Sequence, residues 1–437
     1  MFDKMFNRTN VLYIAEAGLE YLIAILISGA YLAKLTTSLG FSDGLTAILS
    51  SFVALGYGFQ LLSMVFFKSG KRVKWKVCIM HIINQLFFMS TYLIPFFDFN
   101  KTLKTGLFMF FLIGGYFISN IIFAPKTGLY MRQVADHQRG IFTSVKEAVS
   151  LISGFLFQLV MGLVIDHYEA KGEIRMAFTV CAITIFVLMV SHTLTIVFAK
   201  EEAPVESKIK PTPTIERFKG VLTDKTIVKV IMTSVFWTIS NHIVVSFFGT
   251  YQVNELGFSM KFITIISILN AFSRVPCSFV FGKYADKYSF AKMLKICYGI
   301  AAFSFLIVAF AVPKNGFIVY PIYSILYAAA MGGINSGEIN LIFDYVAPEK
   351  RNDALAVKQT IYGICGFLTT LAITPAFNYI QKFQLSNGKI FGITIYAQQV
   401  LSVIACIATI LLIFYLDRQV LKKIKPRKIE IPDGITD

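Results

Sequence analysis

Long apolar blocks alternate along this chain with short polar ones. Each block reaches or exceeds the length of about twenty residues that an α-helix needs to cross the hydrocarbon core of a bilayer. Twelve blocks fall at 11–36, 43–67, 74–96, 105–131, 142–165, 175–199, 227–252, 261–281, 292–313, 316–345, 355–380 and 391–415. Any one of them could be a buried core helix. As a set they predict an all-α membrane protein of twelve transmembrane helices. The first block follows the short head MFDKMFNRTN with no small-residue cleavage site, so it is expected to stay in the mature protein.

A repeat lies over this pattern. VADHQRGIFTSVKEAVSLISGFL, from Val134 to Leu156, returns 212 positions later as VAPEKRNDALAVKQTIYGICGFL, from Val346 to Leu368. Nine of the 23 positions are identical, among them Arg139/Arg351, Lys146/Lys358 and the run Gly154-Phe155-Leu156 against Gly366-Phe367-Leu368. Shared apolar composition does not account for matched Arg, Lys and Gly. LGFS at 39–42 returns at 256–259, each time between the first and second spans of a half. The chain therefore reads as two pseudo-symmetric six-helix halves, 1–199 and 221–415, joined by a linker at 200–220 and followed by a tail at 416–437. The linker is charged and holds three prolines, as a solvated connection should. Six spans per half is an even number, so both halves share one orientation and relate about an axis along the membrane normal, an arrangement suited to rocking one half against the other.

Composition agrees. Of 437 residues, 56% are hydrophobic and only 15% charged, with a mean hydropathy of +0.66; soluble domains carry about a quarter charged residues. The formal net charge of +16 raises a nucleic-acid reading, and its distribution argues against one. The head, the tail and the alternate loops between them hold about thirty of the 41 Lys and Arg, the positive-inside pattern. Both termini are therefore expected in the cytoplasm, with the basic loops against anionic lipid headgroups. The expected location is the cytoplasmic membrane of a bacterium, with the chain acting as a monomer.

The six cysteines fall in or at the ends of spans without short spacing and read as packing residues. The five histidines are scattered, and no HExxH, CxxC or GxxxxGK[ST] occurs. Nothing here points to a metal, a cofactor, ATP hydrolysis or an enzyme.

At the exit of the eighth span stands GKYADKYSFAK, Gly282 to Lys292. This resembles the signature of the major facilitator superfamily, roughly G-x-x-x-D-[RK]-x-G-[RK]-[RK]. Gly282, Asp286 and Lys287 match it; Ser289 stands where the second Gly would be. In the first half Gly70, Lys71 and Arg72 survive, but Ser63 and Phe67 replace the Gly and the Asp. The resemblance covers about 11–415 and implies alternating-access transport, with spans one, four, seven and ten lining a cavity. It implies that Asp286 latches the cytoplasmic side near the start of the eleventh span, around Lys358, while Gly282 allows close helix approach. The fifth span lacks the proline of drug–proton antiporters and the fourth lacks their Arg, which counts against drug efflux.

Ionisable side chains inside a membrane are costly and invite a functional hypothesis. Glu16 and Glu20 lie one turn apart on the first span and are candidates for proton coupling; the competing role is a structural ion pair. Lys126 has Glu338 as its repeat partner 212 positions on. The two could face each other across the axis, or Lys126 could pair with Glu16 or Glu20, bind an anionic substrate group, or snorkel. Arg274 serves helix packing or neutralises Glu338. Ser234, Thr238 and Asn241 follow helical spacing on the seventh span. Trp237, Asn241 and His242 there are substrate-contact candidates, against the alternative of ordinary packing, and Lys126 and Glu338 join them as candidates for contact with the substrate.

These residues lead to an expected function: secondary active transport of a small solute, coupled to a proton or another cation, by uptake of a polar metabolite or sugar. Efflux of an amphipathic compound competes with it. A membrane-embedded enzyme would need a clustered catalytic set, and a sensor an extra soluble domain; neither is visible.

Overall fold

Among the described residues of the computed structural model every regular element is helical. The structure describes residues 7–59, 62–67, 73–131, 139–200, 219–386 and 394–424. The linker residues 201–218, the first-half basic motif at 68–72 and the tail beyond 424 lie outside the described residues, as do the side chains of Arg139 and Asp286.

The repeated LGFS shows how a few residues fix local structure. Helix α1, Arg8–Leu26, is followed by α2, Gly29–Ser38, and α3, Asp43–Phe59. Gly40 sits at φ 71° between α2 and α3, and Gly257 at φ 64° in the second copy. A left-handed residue just past a helix end lets the next amides turn back onto the last carbonyls. Phe41 and Phe258 then bury their rings, with Phe41 N–H donating to the Thr36 carbonyl and Phe258 N–H to that of Gln252. Ser42 and Ser259 start the next helices: each Oγ accepts the amide three residues on, Leu45 and Phe262, at 3.2 Å. Stop, anchor and start are thus written in four letters, twice.

The first span is broken rather than continuous. α1 ends at Leu26 and α2 begins at Gly29, whose φ of 54° would strain any residue with a Cβ. The freed carbonyls are satisfied by tyrosines: Tyr92 Oη donates to Leu26 and Tyr116 Oη to Ile27, the latter at 2.7 Å. Discontinuous helices of this kind leave backbone groups at membrane depth. The seventh span also changes character, from an α-helix at Lys225–His242 to a 3-10 turn at Val245–Phe247 and a π-turn at Tyr251–Glu255.

The other spans follow the sequence closely. After a short α4, Ser63–Phe66, come α5 Val73–Leu93, α6 Lys101–Met131, α7 Arg139–Ala170, α8 Ile174–Phe198 and α9 Lys225–His242. They are followed by α10 Met260–Lys287, α11 Phe290–Val308, α12 Gly316–Tyr345, α13 Pro348–Leu385 and α14 Ala397–Tyr415. Among the described residues eleven helical stretches are long and apolar enough to cross a membrane. The block expected at 43–67 yields the shorter apolar helix α3.

Two compact units form. Unit 1 comprises 1–208, 245–268 and 366–398; unit 2 comprises 209–244, 269–365 and 399–437. Unit 1 therefore holds the first half of the chain together with two stretches that the sequence places in the second. Within unit 1, α1 packs on α7 and α8, and α5 on α6 and α8. Gly249 comes close to the backbone of Gly29: a Cβ there would lie 2.7 Å from the Gly29 carbonyl oxygen. Asp166 on α7 caps α10, its two carboxylate oxygens accepting the amides of Met260 and Lys261 at 2.9 Å each. A carboxylate is favoured there because a helix N-terminus presents unpaired N–H groups and positive dipole charge. Within unit 2, α11 packs along α12, and α9 against α12.

Candidate functional site

Unit 1 gathers the expected acids around one cation. Lys126 Nζ on α6 lies 2.7 Å from Glu16 Oε1 and 2.7 Å from Glu20 Oε2, both on α1. The i, i+4 spacing that puts the two glutamates on one helix face lets a single ammonium meet both. The Glu16 and Lys126 side chains are 1% and 3% exposed, while that of Glu20 is 33% exposed. Glu16 is the sealed end of the cluster and Glu20 the open end. On its inner side Glu16 Oε1 also lies 2.7 Å from His192 Nε2 on α8. The His192 ring meets that of His81 on α5 edge to face, with centroids 3.9 Å apart. Both imidazoles are buried.

Aromatic rings close the cluster toward the start of the chain. Tyr13 stacks on Tyr130 with centroids 4.4 Å apart and tilts against Phe142. Lys146 Nζ sits 4.8 Å from the Tyr13 ring centroid, in cation–π contact. A cavity of about 250 Å³ lies beside the break in the first span, lined among others by Tyr21, Ser28, Gln158, Gln252, Thr264 and Ser267.

Unit 2 has its own buried pair. Lys358 Nζ lies 3.2 Å from Glu338 Oε2, and Tyr298 Oη donates to Glu338 Oε1 at 3.3 Å. Each charge named in the expected cross-axis pair is thus neutralised inside its own unit: Lys126 by Glu16 and Glu20, and Glu338 by Lys358. Lone charges at those depths would be unaffordable, and a partner on an adjacent helix is the shortest route to neutrality.

The seventh-span candidates separate by environment. Trp237 is 1% exposed and lies against Tyr298 and Phe305, with centroids at 5.3 and 6.4 Å; here it packs as a core residue. Asn241 Oδ1 accepts from Tyr327 Oη at 2.7 Å. His242 Nδ1 lies 2.9 Å from the Thr238 carbonyl and is half-buried. Asn241 and Tyr327 thus make one polar contact within unit 2, while His242 bonds back to its own helix.

The family motif is only partly described. Gly282 does not mark a close helix approach among the described residues, because a Cβ there would meet nothing within 4 Å. The close approach in this unit falls at Gly332, where a Cβ would lie 2.7 Å from the Arg274 carbonyl oxygen. Arg274 is half-buried, and among the described residues no carboxylate lies within 4 Å of it, so its backbone serves packing and it leaves Glu338 to Lys358. Ser289, in place of the signature's second Gly, N-caps α11 by accepting the Lys292 amide at 3.2 Å. Its extended backbone needs no Gly. Lys287 is exposed beside the Tyr288 ring, and Arg351 Nε donates to the Val346 carbonyl at 3.1 Å. Arg139 opens α7, and the latch expected of Asp286 lies outside the described side chains.

His192 and His81 carry no motif. Their trace in the sequence is a stripe on α5, where His81, Asn84 and Gln85 share a buried face at i, i+3, i+4. Among the described residues no group of three His, Cys, Asp or Glu could hold a metal ion.

A family model of the Major Facilitator Superfamily matches residues 17–370. Curated protein sequences give no match. Among solved structures, a single-substitution mutant of the nucleoside transporter NupG aligns with a TM-score of 0.70 at 13% identity, covering 94% of this chain and 99% of its own. An auto-inhibited POT family peptide transporter aligns at 0.67 and 10% identity, covering 98% and 99%. A D-xylose–proton symporter aligns at 0.62 and 14%, covering 92% and 96%. At such identities the likeness is one of fold. Apolar spans, buried ion pairs and this fold together define an integral membrane protein of the solute-transporter class. The chain belongs to the Major Facilitator Superfamily.

Proposed function

We propose that this protein is a secondary active transporter that takes up a small polar solute together with a proton by alternating access. The observation that carries the reading is the Glu20–Lys126–Glu16 cluster on a broken first span. It joins a carboxylate one-third exposed to one fully sealed, through a shared ammonium. A carboxylate that trades its ion pair for a proton is what coupling requires, since neutralising Glu20 changes the charge balance the buried partners depend on. In this reading Glu20 meets the proton first, Glu16 and Lys126 hold the balance, and Asn241 and His242 of unit 2 supply substrate contacts. A polar substrate is supported by two features. Trp237 is absorbed in packing rather than offered as a stacking surface, and the fold neighbours are named for nucleosides, peptides and D-xylose. The chain would act as a monomer in the cytoplasmic membrane with both termini inside, as its Lys and Arg distribution favours. The two sequence halves would be the rocking bodies.

The test begins with thermal-shift screening of the purified protein against nucleosides, sugars, short peptides and amphipathic cations. The class that binds is then followed in proteoliposomes with an imposed pH gradient. Accumulation that follows the gradient in wild type and is lost in Glu20→Gln is expected. Stabilisation by amphipathic cations alone would turn the reading toward efflux, and gradient-driven accumulation surviving in Glu20→Gln would remove Glu20 from the role.

A further inference from the structure

The cavity beside the break in the first span takes no part in the charge cluster. It encloses about 250 Å³, small beside the roughly 300–1,000 Å³ of pockets that hold drug-sized ligands. Among the described residues its lining includes no Asp, Glu, Lys, Arg or His, although Glu16, Glu20 and Lys126 stand in the same unit. Its polar groups come from the break itself and from α7 and α10, the fifth and eighth spans. A lining of hydroxyls and amides without charge cannot repay the desolvation of a charged solute. It suits a neutral one.

Hydrogen-bond capacity narrows the class further. Ser28 Oγ donates to the Ala24 carbonyl at 2.6 Å, Ser267 Oγ to that of Ile263 at 3.1 Å, and Thr264 Oγ1 to that of Met260 at 3.0 Å. Tyr31 Oη donates to the Gln158 carbonyl at 3.0 Å. Each hydroxyl has spent its one hydrogen on a backbone carbonyl and keeps its lone pairs. These oxygens accept from a ligand without giving up a bond in hand. Donors come from two other places. Apart from its main chain, Gln158 makes no hydrogen bond among the described residues, so its side-chain amide is uncommitted, with two N–H groups and an oxygen to offer. Gly29 and Ala30 open α2 without a side-chain cap, and first-turn amides lack an intrahelical acceptor. Uncharged acceptors and donors set side by side match groups that do both, which are hydroxyls. A carboxylate, which only accepts, would bring its lone pairs against those of the lining oxygens.

We propose that this cavity binds a neutral polyhydroxylated solute of monosaccharide size, recognised by the Gln158 amide together with the hydroxyls of Ser28, Thr264 and Ser267. This rests on the transport reading above and deepens it by naming the class of solute and a set of contacts on the fifth and eighth spans. Selectivity follows from the lining. A carboxylate or ammonium added to the sugar ring finds no counter-charge there. A hydroxyl removed from it leaves a lining group without its partner.

The experiment is isothermal titration calorimetry on the detergent-purified full-length protein with D-xylose, D-ribose, D-glucose and D-galactose. A sugar that binds is then compared with deoxy, uronic acid and amino forms of the same ring. At least one neutral sugar is expected to bind, and each of the three altered forms to bind about tenfold or more weakly. Gln158→Leu is expected to weaken the neutral sugar by a similar factor of about ten. Binding by none of the neutral sugars, equal binding of the uronic acid form, or affinity unchanged in Gln158→Leu would overturn the proposal. Should Gln158→Leu not fold, Ser267→Ala decides in its place, because it removes one acceptor and leaves the helix unaltered. Gradient-driven accumulation of an amino acid or peptide by a protein that binds none of these sugars would leave proton-coupled uptake standing and sink only this site. Sugar binding that depends on Gln158, without gradient-driven accumulation, would do the reverse.

Discussion

Glu16 and Lys126 face each other 2.7 Å apart in a part of unit 1 that water barely reaches. Removing one member of a buried ion pair costs far more than the pair is worth, because the survivor is left desolvated and alone. Lys126→Met strands two carboxylates and is expected to lose about 3–5 kcal/mol of stability, read as a fall in melting temperature of the detergent-purified protein. Adding Glu16→Gln should restore part of the loss by removing the charge that Met cannot answer. Full stability in Lys126→Met would show that the cluster is not holding the helices together.

Glycines of this chain divide by backbone conformation, and one substitution should act with opposite signs. Gly40 and Gly257 sit at positive φ in the two LGFS turns. Alanine at either is expected to cost about 1–2 kcal/mol. Gly282 lies inside α10 with open space where a Cβ would go, so Gly282→Ala is expected to stabilise by about 1 kcal/mol through helix propensity. Melting curves of the three variants check the contrast. A loss at Gly282 comparable to the other two would mean that this position does serve close packing.

The parts of this molecule legible in its sequence are those governed by local rules. Apolar length marked the spans, and LGFS marked a turn because Gly, Phe and Ser each do one short-range job there. Glu16, Glu20 and Lys126 stood out because a charge in an apolar run is expensive wherever it points. Pairing is a different matter. Glu338 turned to Lys358 rather than to the residue that the repeat places opposite it, since neighbouring-helix geometry decides partners and the repeat offset does not. His192 meets Glu16 across 176 positions; as a single imidazole in an apolar span it has no periodic signal of its own. The break at Leu26–Gly29 was hidden too, because a Ser-Gly step inside a hydrophobic block is compatible with an unbroken helix.

Asp166 caps α10 with both oxygens, one on each of its first two amides. Alanine there leaves two donors without a side-chain acceptor and removes a charge from the helix N-terminus. The expected loss is about 1–2 kcal/mol. Asparagine keeps one acceptor and should lose about half as much. Since Asp166 and the first turns of α10, as far as Ile268, belong to different sequence halves but to one compact unit, the same variants test whether this cap holds unit 1 together. Hydrogen exchange at Met260 and Lys261 should quicken in Asp166→Ala; unchanged protection would separate the cap from the stability of the unit.

Asp224 gives the pH dependence with the clearest sign. It lies before α9 and N-caps it, accepting the Thr226 amide at 3.1 Å, while its other oxygen meets Lys350 Nζ at 3.2 Å. Partial burial pushes its carboxyl upward, but the hydrogen bonds from Lys350 and from the Ile227 and Thr226 amides outweigh this and hold it below the ordinary carboxylate range. A carboxylate whose folded value is depressed stabilises the fold above its unfolded pKa, about 3.9, and loses that contribution as pH falls through the folded value. The margin of wild type over Asp224→Asn should therefore be constant near neutrality and shrink as pH drops below about 4. Asparagine still caps but cannot form the ion pair, so this margin isolates the charge. The group is largely solvated, and added salt should reduce the margin further. Melting temperatures of the two proteins from neutral to acid pH supply the comparison; a margin that widened on acidification would reverse the sign assigned to Asp224.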